Sequence, residues 1–345
     1  MTGLYEIPAQ TRARAPLALL LGLCALALAA VAAVNVRVDP VGLFDDGRLA
    51  RAAAKTLIEG KAIAASNLDD RQLHRAYARE VPAAPDMLVL GSSRTMAVSA
   101  EMVGGVTAYN ASVSSATLPD LLAVIELFLA ADKKPKRVVI GLDTWLLDSR
   151  PRNSRWRALA PQYAALRDRL GLPKRDVEVA SRWSRLKAIV GLSMTLESLG
   201  VLRADGVGAL AGRRGGGVQV VPAGDTSRAA KRPDGSLRYA ASYRDRSVAL
   251  VRAAAVVDGR QLVTDSLRQG SFAPAQVAEF AALISHLKRQ GVEVVFVLPP
   301  FHPTTYAWVR QRSDADFLAA TEKRYRALAE RLGVPVVGSY NPARA

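Results

Sequence analysis

The chain is poor in the residues from which small stapled folds and metal centres are built. It has a single cysteine, Cys24, so neither an intrachain disulfide nor a cysteine-based metal site can form. Three histidines, His74, His286 and His302, are too few for a histidine-rich metal centre. A disulfide-built secreted scaffold and a zinc finger are therefore excluded, and neither metal nor cofactor is expected. Aromatic residues make up 6% of the chain, and 31 acids face 47 lysines and arginines, leaving a net charge of +16. The hydrophobic share is 50%, which excludes disorder of the whole chain, since that needs low hydrophobicity with high charge. At 345 residues, the usual allowance of about 150 per domain gives one large or two small domains. No internal repeat is present.

Long apolar runs are equally scarce, and the one that exists is informative. From Pro16 to Val36 the sequence PLALLLGLCALALAAVAAVNV carries no charge. At about 1.5 Å per residue, such a helix crosses a hydrocarbon layer roughly 30 Å thick. Arg12 and Arg14 precede it, and Glu6 is the only acid before it. The positive-inside bias keeps the N-terminus cytoplasmic and exports the remainder. A cleaved signal peptide is the rival reading, because Ala27-Leu28-Ala29 and Ala30-Val31-Ala32 have the small-x-small form. The run exceeds the usual signal-peptide core, which favours an uncleaved anchor. The expected location is the inner membrane, single-pass, with the main domain extracytoplasmic. The basic surplus is mostly arginine, with about ten lysines. It reads as a solvated surface or as attraction to anionic lipid or an acidic glycan. Nucleic acid is not an expected partner: no recognition motif occurs, and the topology removes the domain from the cytoplasm.

Residues 1–15 are thus a cytoplasmic tail, 16–36 the anchor and 37–85 a membrane-proximal segment, with an α/β domain over 86–345. Val38–Phe44 reads as an extended exit and Asp45–Glu80 as one or two helices. Asp86–Gly91, Val106–Asn110, Lys136–Leu142, Val292–Leu298 and Val334–Val337 read as short strands. Pro119–Ala131, Ala273–Gln290 and Ser313–Arg331 are amphipathic helices between them, the last two closed by Gly291 and Gly333. Continuous apolar strands alternating with helices mean a mainly parallel sheet covered on both faces. At about 145–270 the alternation breaks into a largely helical insertion. It contains Arg-rich helices near Arg155–Leu170 and Lys174–Leu199, a Gly/Arg segment around Arg213-Arg214 and the turn Pro233-Asp234-Gly235. Around Arg203–Arg238 it is expected to be partly mobile, and its place at the carboxyl edge of the sheet is where such folds bind ligands.

The chemistry-bearing stretch is Leu88-Val89-Leu90-Gly91-Ser92-Ser93-Arg94-Thr95, an apolar strand that stops at glycine. Two hydroxyls follow, at what should be a helix N-terminus. A serine there suits an acyl-transfer nucleophile beside free backbone N–H donors, although an N-cap pair has the same pattern. After the next strand comes Asn110-Ala111-Ser112-Val113-Ser114-Ser115, and after the third Gly141-Leu142-Asp143-Thr144. In this order and spacing the three resemble the SGNH (GDSL-type) hydrolase superfamily over about sixty residues. Gly91-Ser92-Ser93 is similar to its G-D-S block, Asn110–Ser115 to N-x-x-x-S-G and Gly141–Thr144 to G-x-N-D. The membrane-anchored branch it resembles acts in polysaccharide O-acetylation and teichoic-acid D-alanylation.

The resemblance implies a flavodoxin-like three-layer sandwich and an O-acyl esterase or acyltransferase working on a cell-envelope polysaccharide. Ser93 would be the nucleophile, with backbone N–H groups of Ser93 and Ser115 as oxyanion donors. Asn110, Asp143, Ser92 and Arg94 would line the site. The implied partners are the membrane, an anionic envelope glycan or an acyl-donor membrane protein. Three departures weigh against catalysis. Ser115 stands where the family has glycine. Asp143 replaces asparagine, and an ionised carboxylate cannot donate to an oxyanion. The family's D-x-x-H block after the last strand is missing, since no histidine follows His302. Either the chain ends before that block, or the domain is an inactive glycan-binding or assembly protein, or His302 substitutes as base. His302 follows a core strand in Leu298-Pro299-Pro300-Phe301-His302-Pro303, and a loop histidine is its ordinary alternative. His74 and His286 read as structural or solvated. Asp143, Asp148 and Arg94 can form an ion pair under the site. Trp145, Trp156, Trp183 and Trp308 are candidates for sugar stacking, with core packing the commoner role.

Overall fold

The computed structural model describes residues 9–38, 47–64, 68–104, 106–148, 153–174, 189–205, 218–268, 272–312 and 317–344. The chain divides into two compact units, one of residues 1–46 and 180–216, the other of 47–179 and 217–345. In the smaller unit, helix α1 (Ala9–Val38) holds the apolar run, and its stretch Pro16–Val38 is long and apolar enough to cross a membrane.

The larger unit is α/β. Its elements in chain order begin with α2 (Arg48–Ile58), β1 (Ala62–Ala64), α3 (Asp70–Glu80), β2 (Met87–Leu90) and β3 (Ala108–Asn110). Next come α4 (Leu118–Ala130), β4 (Arg137–Gly141) and α5 (Ala160–Arg169). In the smaller unit, α6 (Leu192–Asp205) intervenes before the larger unit resumes with β5 (Val220–Val221), β6 (Ala230–Lys231) and β7 (Leu237–Arg238). The chain then forms α7 (Ala241–Arg244), α8 (Val248–Arg268), α9 (Pro274–Arg289), β8 (Glu293–Leu298), α10 (Pro303–Arg310), α11 (Phe317–Leu332) and β9 (Val336–Gly338).

Five strands form one sheet in the order β3-β2-β4-β8-β9, and every neighbouring pair is parallel. β2 lies inside it, and all four of its residues are buried; because successive side chains point to opposite faces, both faces are covered there. That is why Met-Leu-Val-Leu reads as an unbroken apolar run rather than an alternating one. α4 is buried nearly all round, as its sequence LPDLLAVIELFLA requires. Its start is fixed by Asp120, whose carboxylate accepts from the backbone N–H and hydroxyl of Thr117, each at 2.8 Å. One core runs from α2 and α3 through the sheet to α9 and α11; a smaller cluster of Leu262, Val309 and Leu318 ties α8, α10 and α11 together.

Several expectations shift. The membrane-proximal segment past Gly47 belongs to the larger unit. Its strand β1 pairs antiparallel with β5 and β6, and β6 with β7, so a second, four-stranded sheet, not expected from the sequence, draws its other strands from residues 220–238. The insertion is shared between the two units. Most of the extended exit, most of the Lys174–Leu199 segment, Arg213-Arg214 and Trp183 lie outside the described residues.

Candidate functional site

The carboxyl ends of β2, β3, β4 and β8 and the loops that leave them hold all the site residues named from the sequence. After β2 the chain turns sharply. Ser92 is buried, and its carbonyl accepts from both the backbone N–H and the hydroxyl of Thr95, each at 3.0 Å. Its own hydroxyl accepts from the Arg94 N–H at 3.2 Å. Ser93 is the exposed tip of this turn. It does not open a helix as expected: a string of turns runs to a short 3-10 segment, Ala100–Val103. The cause is Asn110, whose amide nitrogen donates to the carbonyls of Thr95 (2.8 Å), Val98 (2.9 Å) and Met96 (3.3 Å). Those are the carbonyls a helix would have used. Asn110 is therefore a clamp on the loop after β2, with its own side-chain carbonyl accepting from the Ser112 N–H at 3.0 Å.

Thr95, which carried no weight in the sequence, lies at the middle of the arrangement. Its hydroxyl meets the Ser112 hydroxyl at 2.9 Å and so joins the first loop to the second. It fits only because Gly91 and Gly141 end β2 and β4. A Cβ on Gly91 would lie 2.4 Å from Thr95 Oγ1, and one on Gly141 2.4 Å from Thr95 Cγ2. The second loop comes alongside the first through the Val113 N–H, which donates to the Gly91 carbonyl at 3.0 Å.

Ser115 is exposed and adopts φ 52°, the left-handed region that a side chain resists. The glycine of the family block would sit there without strain. Its loop is held from outside by Asn153, whose amide donates to the Ser115 carbonyl at 2.8 Å, and by the Trp145 indole, which donates to the Ala116 carbonyl at 2.9 Å. Among the described residues, the backbone N–H groups of Ser93 and Ser115 donate no hydrogen bond.

The third loop carries Asp143, 2% exposed and 3.6 Å from Arg94. Of the pairing anticipated among Asp143, Asp148 and Arg94, the Arg94–Asp143 contact forms. The guanidinium also donates to the Pro299 carbonyl, and its carbon lies 3.7 Å from the centre of the Phe301 ring and 5.6 Å from that of Tyr340. Burial pulls the Arg94 guanidinium down from its ordinary range, and Asp143 opposes that shift. Tyr340 lies two residues past the end of β9; its hydroxyl donates to the Leu142 carbonyl at 2.8 Å. Tyr325 donates likewise to the Asp143 carbonyl at 2.8 Å.

His302 sits at the same edge, exposed, as N-cap of α10. Its Nδ1 accepts from the Thr304 N–H at 3.2 Å, which places the proton of the neutral ring on Nε2. Ser93 and His302 are not joined by a hydrogen bond among the described residues.

Beneath the second loop lies a buried polar cluster. His74 is fully buried between the Tyr109 hydroxyl (Nδ1, 2.9 Å) and the Ser112 carbonyl (Nε2, 3.2 Å). The carbonyl contact requires Nε2 to carry the proton, so Nδ1 accepts from Tyr109. Asp70 pairs with Lys231 at 2.9 Å and accepts from the Ser114 N–H at 3.3 Å. Burial lowers His74 to about 4, and the Lys231 charge adds to the shift. His74 is therefore structural support for the loop. Of the other tryptophans, Trp156 packs edge-on against Tyr163 and Trp308 lies against Gly259; Trp145 alone of those described borders the site.

Compared with protein-family models, curated proteins and solved structures, the chain shows no significant match.

Proposed function

We propose that this chain is a membrane-anchored, exported α/β domain of SGNH-related build that binds a cell-envelope polysaccharide, or positions a membrane partner on one, without turning it over. The flavodoxin-like sandwich belongs to this reading: the parallel order β3-β2-β4-β8-β9 is the 2-1-3-4-5 order of that class when the five strands are renumbered along the chain. One observation carries the proposal. Where the family's base would follow the last strand, this chain places Tyr340 over the Arg94–Asp143 pair. The Asp143 carboxylate faces the Arg94 guanidinium at 3.6 Å. Among the described residues no base is hydrogen-bonded to the Ser93 hydroxyl, and a serine without one is a weak nucleophile at neutral pH. The net charge of +16 suits an anionic glycan.

A second reading is favoured by the exposed Ser93 tip and the undonated N–H groups of Ser93 and Ser115: acyl transfer through Ser93, with His302 as base. That role requires His302 to give up its cap, because in the neutral ring the only basic nitrogen is the one that accepts from Thr304. Labelling of the full-length protein with a fluorophosphonate separates the two. The binding reading expects no label that depends on Ser93. Labelling of the wild type that disappears in Ser93→Ala would establish the acyl-enzyme instead.

A further inference from the structure

The smaller unit carries a surface that the anchor alone does not explain. α6 packs against the exit end of α1, where Val31, Val34 and Val36 lose exposure while residues 17–30 remain exposed. The joint is polar. Asn35, completely buried near the end of the apolar helix, donates through its amide to the Ile189 carbonyl at 2.7 Å and the Thr195 hydroxyl at 2.9 Å. Thr195 passes its own proton to the Gly191 carbonyl at 3.0 Å. Met194 and Ser198 face inward at helical spacing. The outward face is apolar: Leu192, Leu196 and Leu199 are 74%, 59% and 53% exposed, with Val190 just before them at 45%.

A solvated helix would not present three leucines at i, i+4 and i+7 to water while spending its polar groups on a neighbour. A bilayer rewards that arrangement, because polar side chains between membrane helices satisfy one another and apolar ones face lipid. From Ile189 to Leu202 the one charged residue is Glu197. α6 has 14 residues, about 21 Å at 1.5 Å per residue, too short to span and of the length typical of interfacial or re-entrant segments.

We infer that α6 is a second membrane element, a half-depth helix buried in the extracytoplasmic leaflet with its Leu192–Leu196–Leu199 face in lipid and clamped to the anchor by Asn35. The inference rests on the anchored reading of α1. The occupant is lipid because this face continues the exposed surface of the candidate span, packed against it in the same unit. Charged residues, mostly basic, flank it in the sequence, Arg182, Arg185 and Lys187 before and Arg203, Asp205, Arg213 and Arg214 after, as suits a segment bounded by anionic headgroups.

The test uses the full-length protein in phosphatidylcholine–phosphatidylglycerol vesicles, with an environment-sensitive fluorophore on one thiol at a time. Cys24 serves as the native site in α1. Cys24→Ala with Leu196→Cys reports α6, and Cys24→Ala with Val337→Cys is the aqueous control, since Val337 is 57% exposed on β9. The Leu196→Cys probe is expected to lose most of its emission to lipids bearing a doxyl group near the headgroup, less to deep doxyl lipids, and little to iodide. Iodide quenching equal to that at Val337→Cys, with Cys24 still quenched by lipid, overturns the inference and leaves the anchor standing. Loss of lipid quenching at Cys24 as well overturns the anchored reading. A disulfide-linked dimer of the Leu196→Cys protein would assign the face to a second copy and likewise overturn the inference.

Discussion

Thr95 sets the geometry of the site more than the serines beside it. Its hydroxyl bonds back to Ser92 and across to Ser112, and its methyl occupies the space left by two strand-ending glycines. Gly91, Ser92, Ser93, Asn110, Ser115 and Asp143 were legible because each belongs to a short motif. Thr95 was not, because its importance comes from a contact between loops far apart in sequence. Asn110, expected to line the site, gives its amide protons to three carbonyls of one loop, a contact its motif does not announce. Crowding at Thr95 is directly testable. Gly141→Ala places a Cβ about 2.4 Å from Thr95 Cγ2, and overpacking of this kind costs about 1–3 kcal/mol. Adding Thr95→Ser removes the clashing methyl, keeps the hydroxyl bonds and is expected to restore most of the loss. Urea unfolding of both proteins measures this; equal destabilisation in single and double variants would show that the crowding is relieved elsewhere.

Among the elements, those with long apolar signals were readable and those without were not. The core strands, α4, α9 and α11 fall within a few residues of their expected bounds, since their burial demands runs of apolar side chains. The second sheet escaped notice because its strands are two or three residues long, too short for any periodicity. Its one visible trace was the turn Pro233-Asp234-Gly235, which proves to be a fastening. Asp234 accepts from the Asn110 N–H through its carbonyl and from the Ala100 N–H through its carboxylate, both at 2.7 Å. Gly235 has φ 74°, and a Cβ there would lie 2.4 Å from the Asn110 carbonyl and 2.8 Å from the Tyr109 ring. Gly235→Ala is therefore strained twice, by backbone and by contact, and should lose about 2 kcal/mol or more of stability. Hydrogen exchange should show the loss concentrated in residues 230–238 and at the edge strand β3. Uniform loss of protection across β2, β4 and β8 would mean that the small sheet is not a separate fastening.

For the molecule as a whole, the buried cluster under the second loop makes stability depend on pH. Folding holds His74 neutral, with its affinity for a proton lowered to about 4 by burial first and by Lys231 second, while the unfolded chain has the ordinary value near 6.5. Between those values the unfolded state binds the extra proton, so unfolding becomes more favourable as pH falls; above about 6.5 neither state binds it, and the contribution is fully present. The difference amounts to about 3 kcal/mol, lost between roughly pH 6.5 and pH 4. Asp69 and Glu126, whose carboxyls burial raises, work against this slope, and His286, lowered by burial, works with it. His74→Gln isolates the term, because glutamine can donate to the Ser112 carbonyl and accept from Tyr109 without titrating. The variant is expected to be less stable at neutral pH but to lack most of the decline, so the two unfolding curves should converge as pH falls towards 4. An unchanged slope in His74→Gln, measured on the full-length protein in detergent, would mean that the acid sensitivity arises elsewhere.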